Sequence, residues 1–409
     1  MKEYICISKR SIVLFGIFAS FRVPTFLYSI SLYVLLTNSV YILVLGWCVC
    51  DFCKNFKKCS SVFYLISLMY LFQGISTMIM DPQLVMGFAK TAIKSMTFCY
   101  LIDSGLRRKK SIEFVNVLVW YLLIVITLNF FTLIIFPNGM YSAGAYSANY
   151  LMGYDNSHIR WQLPALVLSY IYATIVCGKI DRRTLFLGGV VIASTLLIES
   201  GTATVAIGLF VIGVFVVELN IKKGTFKIIN ALTPVSAVII GIIGSFIVID
   251  ATISNNSFNL LSSIIEYFGK DSTLSGRDVI WINALNWISQ NLIWGMGYET
   301  EEMVSMRLVG RIGYGSSPHN LFLEILYNGG VCLGIIFILI YIILHKRLMK
   351  CKIKKYGVIA GIWLTIISIM GITEPQTGPY LRLTWLIIGN LPVLISEKEM
   401  KENEKNKSS

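Results

Sequence analysis

Long apolar runs separated by short polar breaks dominate the chain. They fall near 12–34, 37–53, 62–80, 84–105, 112–136, 161–178, 184–199, 202–219, 227–249, 319–344, 356–373 and 380–396. Most approach or exceed the roughly 20 apolar residues that a helix needs to cross hydrocarbon. Lipid admits only helices or closed barrels as spanning elements. Barrel strands would be about ten residues long and alternate in polarity, and these runs are too long and too apolar for that. The pattern predicts an all-α, polytopic membrane helix bundle of about 12 spans. The first two runs are the least regular, because Arg22 and Pro24 interrupt the first. No internal repeat of the transporter kind is visible.

Two polar breaks stand out by length. The segment 137–160 is polar, aromatic and Gly-rich, a composition common to sugar-binding surfaces and to ordinary loops. The segment 250–318 is longer. It divides the chain into 1–249 with nine spans, 250–318 as a large outer loop, 319–396 with three spans, and 397–409 as a charged tail. Inside the loop, Ile280, Trp281, Ala284, Leu285, Ile288 and Leu292 recur at steps of three and four, one face of a helix. Ser275 is placed to cap that helix, and Gly276 to let a backbone approach closely. Trp281, Trp287 and Trp294 suit the headgroup level, so the helix is expected to lie along the outer interface. Gly295-Met296-Gly297 reads as a turn. It follows no strand and opens no clear helix, so a dinucleotide fingerprint is excluded.

Composition agrees with a membrane protein. The 409 residues are 56% hydrophobic and 14% charged, against about 45–50% apolar and about 25% charged in soluble domains. The formal net charge is +13, and its placement explains it. With the N-terminus cytoplasmic and every run crossing, basic residues crowd each inner break: Lys54, Lys57 and Lys58; Arg107 through Lys110; Arg182 and Arg183; Lys346 through Lys355. That is the positive-inside pattern. It puts both termini in the cytoplasm and the 250–318 loop outside. The charge then serves topology and attraction to the inner leaflet. No soluble basic domain exists to bind nucleic acid. The cysteines fall in spans or on the inner side, so no structural disulfide is expected. Cys48, Cys50, Cys53 and Cys59 lack a second CxxC pair or a nearby histidine, which argues against zinc. The first run lacks a small-residue cleavage site, so no cleavable signal peptide is expected.

Nine basic residues fall where the positive-inside rule disfavours them: Arg22, Lys90, Lys94, Arg160, Lys270, Arg277, Arg307, Arg311 and Arg382. Intramembrane charge costs at least about 2.5–3.5 kcal/mol and usually marks function. Lys90 and Lys94 share one helix face and either reach a headgroup phosphate or snorkel to the interface. Arg277 opens the loop helix, where the dipole and free amides favour a pyrophosphate. The plainer alternative is a contact with Asp278 or with lipid. His319 follows Pro318 at the mouth of the tenth span. It is either a general base facing a water-filled cavity or a satisfied interfacial histidine. Asn320 is next to it. Glu324 either tunes His319 or bonds within the bundle, since a spacing of five does not align the two. His158 lies beside Arg160 in the shorter outer loop, and His345 is on the inner side.

Taken in order, Ser275-Gly276-Arg277, Trp281, Gly295-Met296-Gly297, Pro318-His319-Asn320 and Gly329-Gly330 after Leu326 resemble the O-antigen polymerase and O-antigen ligase family of polysaccharide-assembly enzymes. The resemblance covers roughly 185–345. It implies a C-type glycosyltransferase-like helical enzyme of the bacterial inner membrane, with its site on the periplasmic face. It implies an undecaprenyl-pyrophosphate-linked oligosaccharide as substrate, no metal and no cofactor. A flippase and a chain-length regulator are the candidate protein partners. Arginines would hold the pyrophosphate, and a histidine at the His319 position would be the base. Many members carry a Ser-Arg pair at the turn that reads Glu199-Ser200-Gly201-Thr202 here. That phosphate ligand is missing or supplied elsewhere, with Arg160 and Lys94 as candidates.

The residues fit a metal-free displacement. The first outer loop has no carboxylate, and the other outer acids (Asp81, Asp155, Asp250, Asp271 and Glu374) do not cluster in sequence. A lipid pyrophosphate leaves well if arginines stabilise its charge. A general base at His319, worth roughly 10²–10⁴-fold, would activate a sugar hydroxyl for attack with inversion. The expected activity is polymerisation of lipid-linked repeat units into O-antigen or capsular polysaccharide. A ligase that moves the finished glycan onto another acceptor, such as the lipid-A core of a lipopolysaccharide, is the nearest alternative. A lipid-linked-glycan flippase is a third, which the large 250–318 loop disfavours.

Overall fold

The computed structural model describes residues 8–108, 110–143, 146–198, 200–223, 231–253, 276–311, 316–351 and 353–408. Among them it has fourteen α-helices and one small hairpin, so the all-α membrane bundle holds. Seven helices are long and apolar enough to cross a membrane, judged by length and composition. The chain forms two compact units and passes between them within three of its helices.

One unit comprises 1–60, 96–207 and 390–409. It holds α1 (Lys9–Phe21), α2 (Ser31–Asn55), the later part of α4 (Val85–Arg107), α5 (Ser111–Ile135), α6 (Ile159–Cys177) and α7 (Arg182–Leu197). Val119 and Ile126 of α5 and Leu163 and Leu168 of α6 are fully buried and form its core. The first predicted span, 12–34, is not one helix. α1 stops at Phe21, and its 13 residues rise only about 20 Å, short of the roughly 30 Å of hydrocarbon. Pro24 follows the break. Arg22 turns back onto α6, donating to Arg160 O at 2.9 Å with its guanidinium 4.3 Å from the Trp161 ring centroid. Strands β1 (Tyr141–Ala143) and β2 (Tyr146–Asn149) pair antiparallel in the segment that composition described only as a loop.

The same unit buries two carboxylates among many donors. Asp103 of α4 is fully buried. It accepts from Arg107 Nε at 2.7 Å, Ser60 N at 3.2 Å and Asn390 Nδ2 at 3.2 Å. Glu397 belongs to α14 (Pro379–Ser408) and accepts from Lys110 N at 3.0 Å, Ser111 N at 2.7 Å and Ser111 Oγ. Lys110 gives α5 no side-chain cap, so a distant glutamate satisfies the first amides of that helix instead.

The other unit comprises 61–95 and 208–389. It holds α3 (Ser61–Met80), the start of α4, most of α8 (Gly201–Lys223), α9 (Pro234–Ile253), α10 (Arg277–Gln290), α11 (Glu301–Val309), α12 (Leu321–Met349), α13 (Lys354–Met370) and most of α14. Small residues let its helices close together. A Cβ on Gly241 of α9 would lie 3.0 Å from Ser368 Cβ on α13.

Within this unit α12 is broken at Gly329 and Gly330, which leave helical geometry. The 292–297 turn enters the gap. Met296 N donates to Tyr327 O at 2.6 Å, and Val331 N to Leu292 O at 2.9 Å. Bonds that would run along α12 therefore run across to the turn. Gly295 (φ +63) and Gly330 (φ +58) need left-handed backbone. A Cβ at Gly295 would also lie 2.6 Å from Gly330 N. The two glycine motifs of the sequence are the two halves of one junction.

Candidate active site

The site is built where α10, the start of α12 and the 371–378 segment meet. α10 buries Ile280, Trp281, Ala284 and Ile288 on one face, as the three- and four-residue spacing predicts. Leu285 and Leu292 are exposed instead, and Leu292 lies past the end of the helix. Trp281 does not sit at a surface. It is fully buried, and its Nε1 donates to Pro318 O at 3.0 Å. The helix thus clamps the turn that carries His319.

His319 is half-buried and has φ +48. Only it and Lys110 among the described non-glycine residues have positive φ. A left-handed non-glycine residue costs roughly 1–2 kcal/mol. Neighbouring contacts hold the turn. His319 N donates to Ser317 Oγ at 3.3 Å. Asn320 is fully buried and caps α12, accepting from Phe322 N and Leu323 N at 3.0 Å each. Its Nδ2 donates to Ser245 Oγ at 2.9 Å and Ile372 O at 2.8 Å. Asn320 therefore fixes His319 between α9 and the 371–378 segment.

Arg277 is the first residue of α10 and is 9% exposed. Its Nη2 donates to Glu374 Oε1 at 2.8 Å in a buried ion pair, so its partner is Glu374 and not Asp278. Gly276 is the N-cap at φ +80 and gives no side-chain cap. A Cβ there would meet nothing within 4 Å. This glycine serves a left-handed turn, not the close backbone approach expected of it. Ser275, its expected capping neighbour, lies outside the described residues, as do Glu199, Lys270 and Asp271. Glu324, on α12, accepts a hydrogen bond from Thr377 Oγ1. One short segment therefore binds Arg277 through Glu374, Asn320 through the Ile372 carbonyl, and Glu324 through Thr377.

The other predicted cations are placed differently. Arg307 pairs with Glu299 and lies 4.7 Å from the Trp287 ring centroid, while Tyr327 donates to the same carboxylate at 2.7 Å. That group ties α11 to α12. Arg311 is exposed, and its carbonyl accepts from Ser305 Oγ at 2.7 Å. On α4, Lys90 is exposed and Lys94 half-buried. Arg160 belongs to the other unit, where its carbonyl receives Arg22. In that unit Ser200, at the departed Ser-Arg turn, donates to Asn156 Oδ1 at 2.7 Å. Among the described residues, no three His, Cys, Asp or Glu side chains are grouped to hold a metal.

Glu374 and Thr377 are the residues that the spacing of motifs could not find. Glu374 lies 97 positions from Arg277. Its one signal was a carboxylate beside an apolar span, where an unpaired charge is costly.

The geometry supplies a guanidinium at a helix N-terminus and, in the same unit, an imidazole on a strained, clamped turn. The family model described as O-antigen ligase matches residues 188–338, a stretch that contains Arg277, His319, Asn320, Glu324 and the glycine junction. No curated protein matches the chain. Over residues 188–338 this membrane protein is therefore similar to the family whose model is described as O-antigen ligase.

Proposed function

We propose that the chain is a glycosyltransferase that polymerises undecaprenyl-pyrophosphate-linked repeat units at the outer face of the bacterial inner membrane. The observation that carries this reading is the conjunction of Arg277, the first residue of α10, with His319 on a left-handed turn pinned by Trp281 and Asn320. Backbone strain of this kind collects at functional sites. Arg277 binds the donor pyrophosphate with the first-turn amides of α10. His319 takes the proton from the acceptor hydroxyl as its oxygen attacks the anomeric carbon. The bond to the pyrophosphate oxygen breaks, and the lipid pyrophosphate leaves with the electron pair. Lys90 and Lys94 are the further phosphate-binding candidates of the same unit. Asn320 positions His319, and Arg307 and Arg311 support the loop.

Purified protein, a lipid-pyrophosphate repeat unit and EDTA form the test, with products resolved on a gel. We expect a ladder that His319→Ala and Arg277→Ala both abolish while the protein remains folded. A ladder that survives His319→Ala would remove the base. The second reading is a ligase, favoured by the description of the matching family. Product formed only when a different acceptor is supplied would select it.

A further inference from the structure

The far end of α12 holds a cavity that the glycosyl-transfer site does not use. The cavity lies at the end of α12 away from His319, past the break at Gly329 and Gly330, beside the inner basic stretch that runs from Lys346 through Lys355. The cavity therefore lies at the opposite headgroup level. It has a volume of about 340 Å³. Leu232 just before α9, His345 and Leu348 from the end of α12, and Lys354, Gly357 and Val358 from the start of α13 line it. Most of the lining is apolar.

The charges around this cavity sort into two classes. Lys355 is paired with Glu218 at 2.7 Å. Arg347 donates to Gly389 O at 2.8 Å. Lys346, Lys350 and Lys354 are exposed and have no carboxylate partner among the described residues. An apolar recess with His345 and Lys354 on its wall, beside two further lysines, is complementary to an amphiphile with an anionic head. Its volume is that of a small-molecule site, too small for a helix of a partner protein.

We infer that this cavity is a binding site for an anionic phospholipid. The phosphate lies against Lys354, His345 and Lys350, and the glycerol and upper acyl chain against Leu232, Leu348 and Val358. The lipid thereby joins the ends of α9, α12 and α13, the three helices whose other ends frame His319 and the 371–378 segment. Lipid binding at this site does not depend on the chemistry at that other end.

Native mass spectrometry of the full chain in mild detergent tests this, with phosphatidylglycerol and phosphatidylcholine titrated separately. Two variants accompany it. Gly357→Leu fills the cavity, and a Cβ there has its nearest neighbour, Leu348 O, at 3.9 Å, so the backbone need not shift. Lys354→Glu reverses an exposed charge without touching the core. We expect phosphatidylglycerol to bind about tenfold tighter than phosphatidylcholine, and each variant to erase that preference at an unchanged unfolding temperature. Equal binding of the two lipids by the wild type would overturn the inference. So would a preference that survives both variants, or displacement of the lipid by inorganic phosphate alone.

Discussion

Asp103 and Arg277 are both nearly removed from solvent, yet they are furnished very differently. Asp103 meets a guanidinium, a backbone amide and a side-chain amide, which fill most of a carboxylate's acceptor capacity. Arg277 carries five donors, and among the described residues one of them, Nη2, reaches a side-chain partner, Glu374. A saturated charge has nothing left to offer a ligand. An arginine with donors to spare, at a helix N-terminus, can take a phosphate without dismantling the protein. Burial alone does not separate the two roles; the number of unused donors does.

The largest expected effect breaks the first half of that contrast. Asp103→Ala leaves Arg107 facing Ser60 and Asn390 with no anion. Breaking one side of a buried pair costs roughly 3–5 kcal/mol. We expect a large fall in the unfolding midpoint and in folded yield, with turnover per folded molecule unchanged. A normal midpoint would mean that the network is ornamental. Turnover lost at a normal midpoint would place Asp103 in the reaction.

Glu374→Gln should act in the opposite sense. It keeps a carbonyl for Arg277 but removes the charge that competes with phosphate. The loss of stability should be smaller than for Asp103→Ala, because the pair becomes a charged-to-neutral hydrogen bond worth about 1.5–3 kcal/mol. KM for the lipid-linked donor should fall severalfold. A rise in KM would show that Glu374 aims the guanidinium and does not compete for it.

Much of the second unit was legible because its chemistry lies in local motifs. Arg277 beside a helix-like spacing, the paired glycines, and Pro318-His319-Asn320 are all short-range signals. The helical class followed from run length, because lipid restricts the backbone to few solutions. What stayed hidden depends on contacts across the chain. Glu374 reaches Arg277, and Glu397 caps α5 from 286 positions away; neither pairing has a period or a spacing. The Trp281 ring suited a headgroup belt by composition, and only the fold shows it buried over Pro318. The break at Arg22 was visible as an irregularity, but its cause, the Trp161 face of α6, was not.

The smallest effect sharpens the contrast most. Trp281→Phe keeps an aromatic ring in the same core and deletes the Nε1–H that donates to Pro318 O. Losing one buried hydrogen bond costs about 1 kcal/mol, so the protein should stay folded with a slightly lower midpoint. The freed turn, however, holds His319 at a φ that costs roughly 1–2 kcal/mol to maintain. With its clamp gone, His319 should relax toward ordinary backbone geometry for much of the time. We expect kcat to fall about tenfold, equivalent to about 1.4 kcal/mol, with KM for the donor unchanged because Arg277 is untouched. A rise in KM at constant kcat would assign Trp281 to substrate binding. No change in either would mean that Asn320 and Ser317 hold the turn unaided, and that the strain at His319 needs no help from α10.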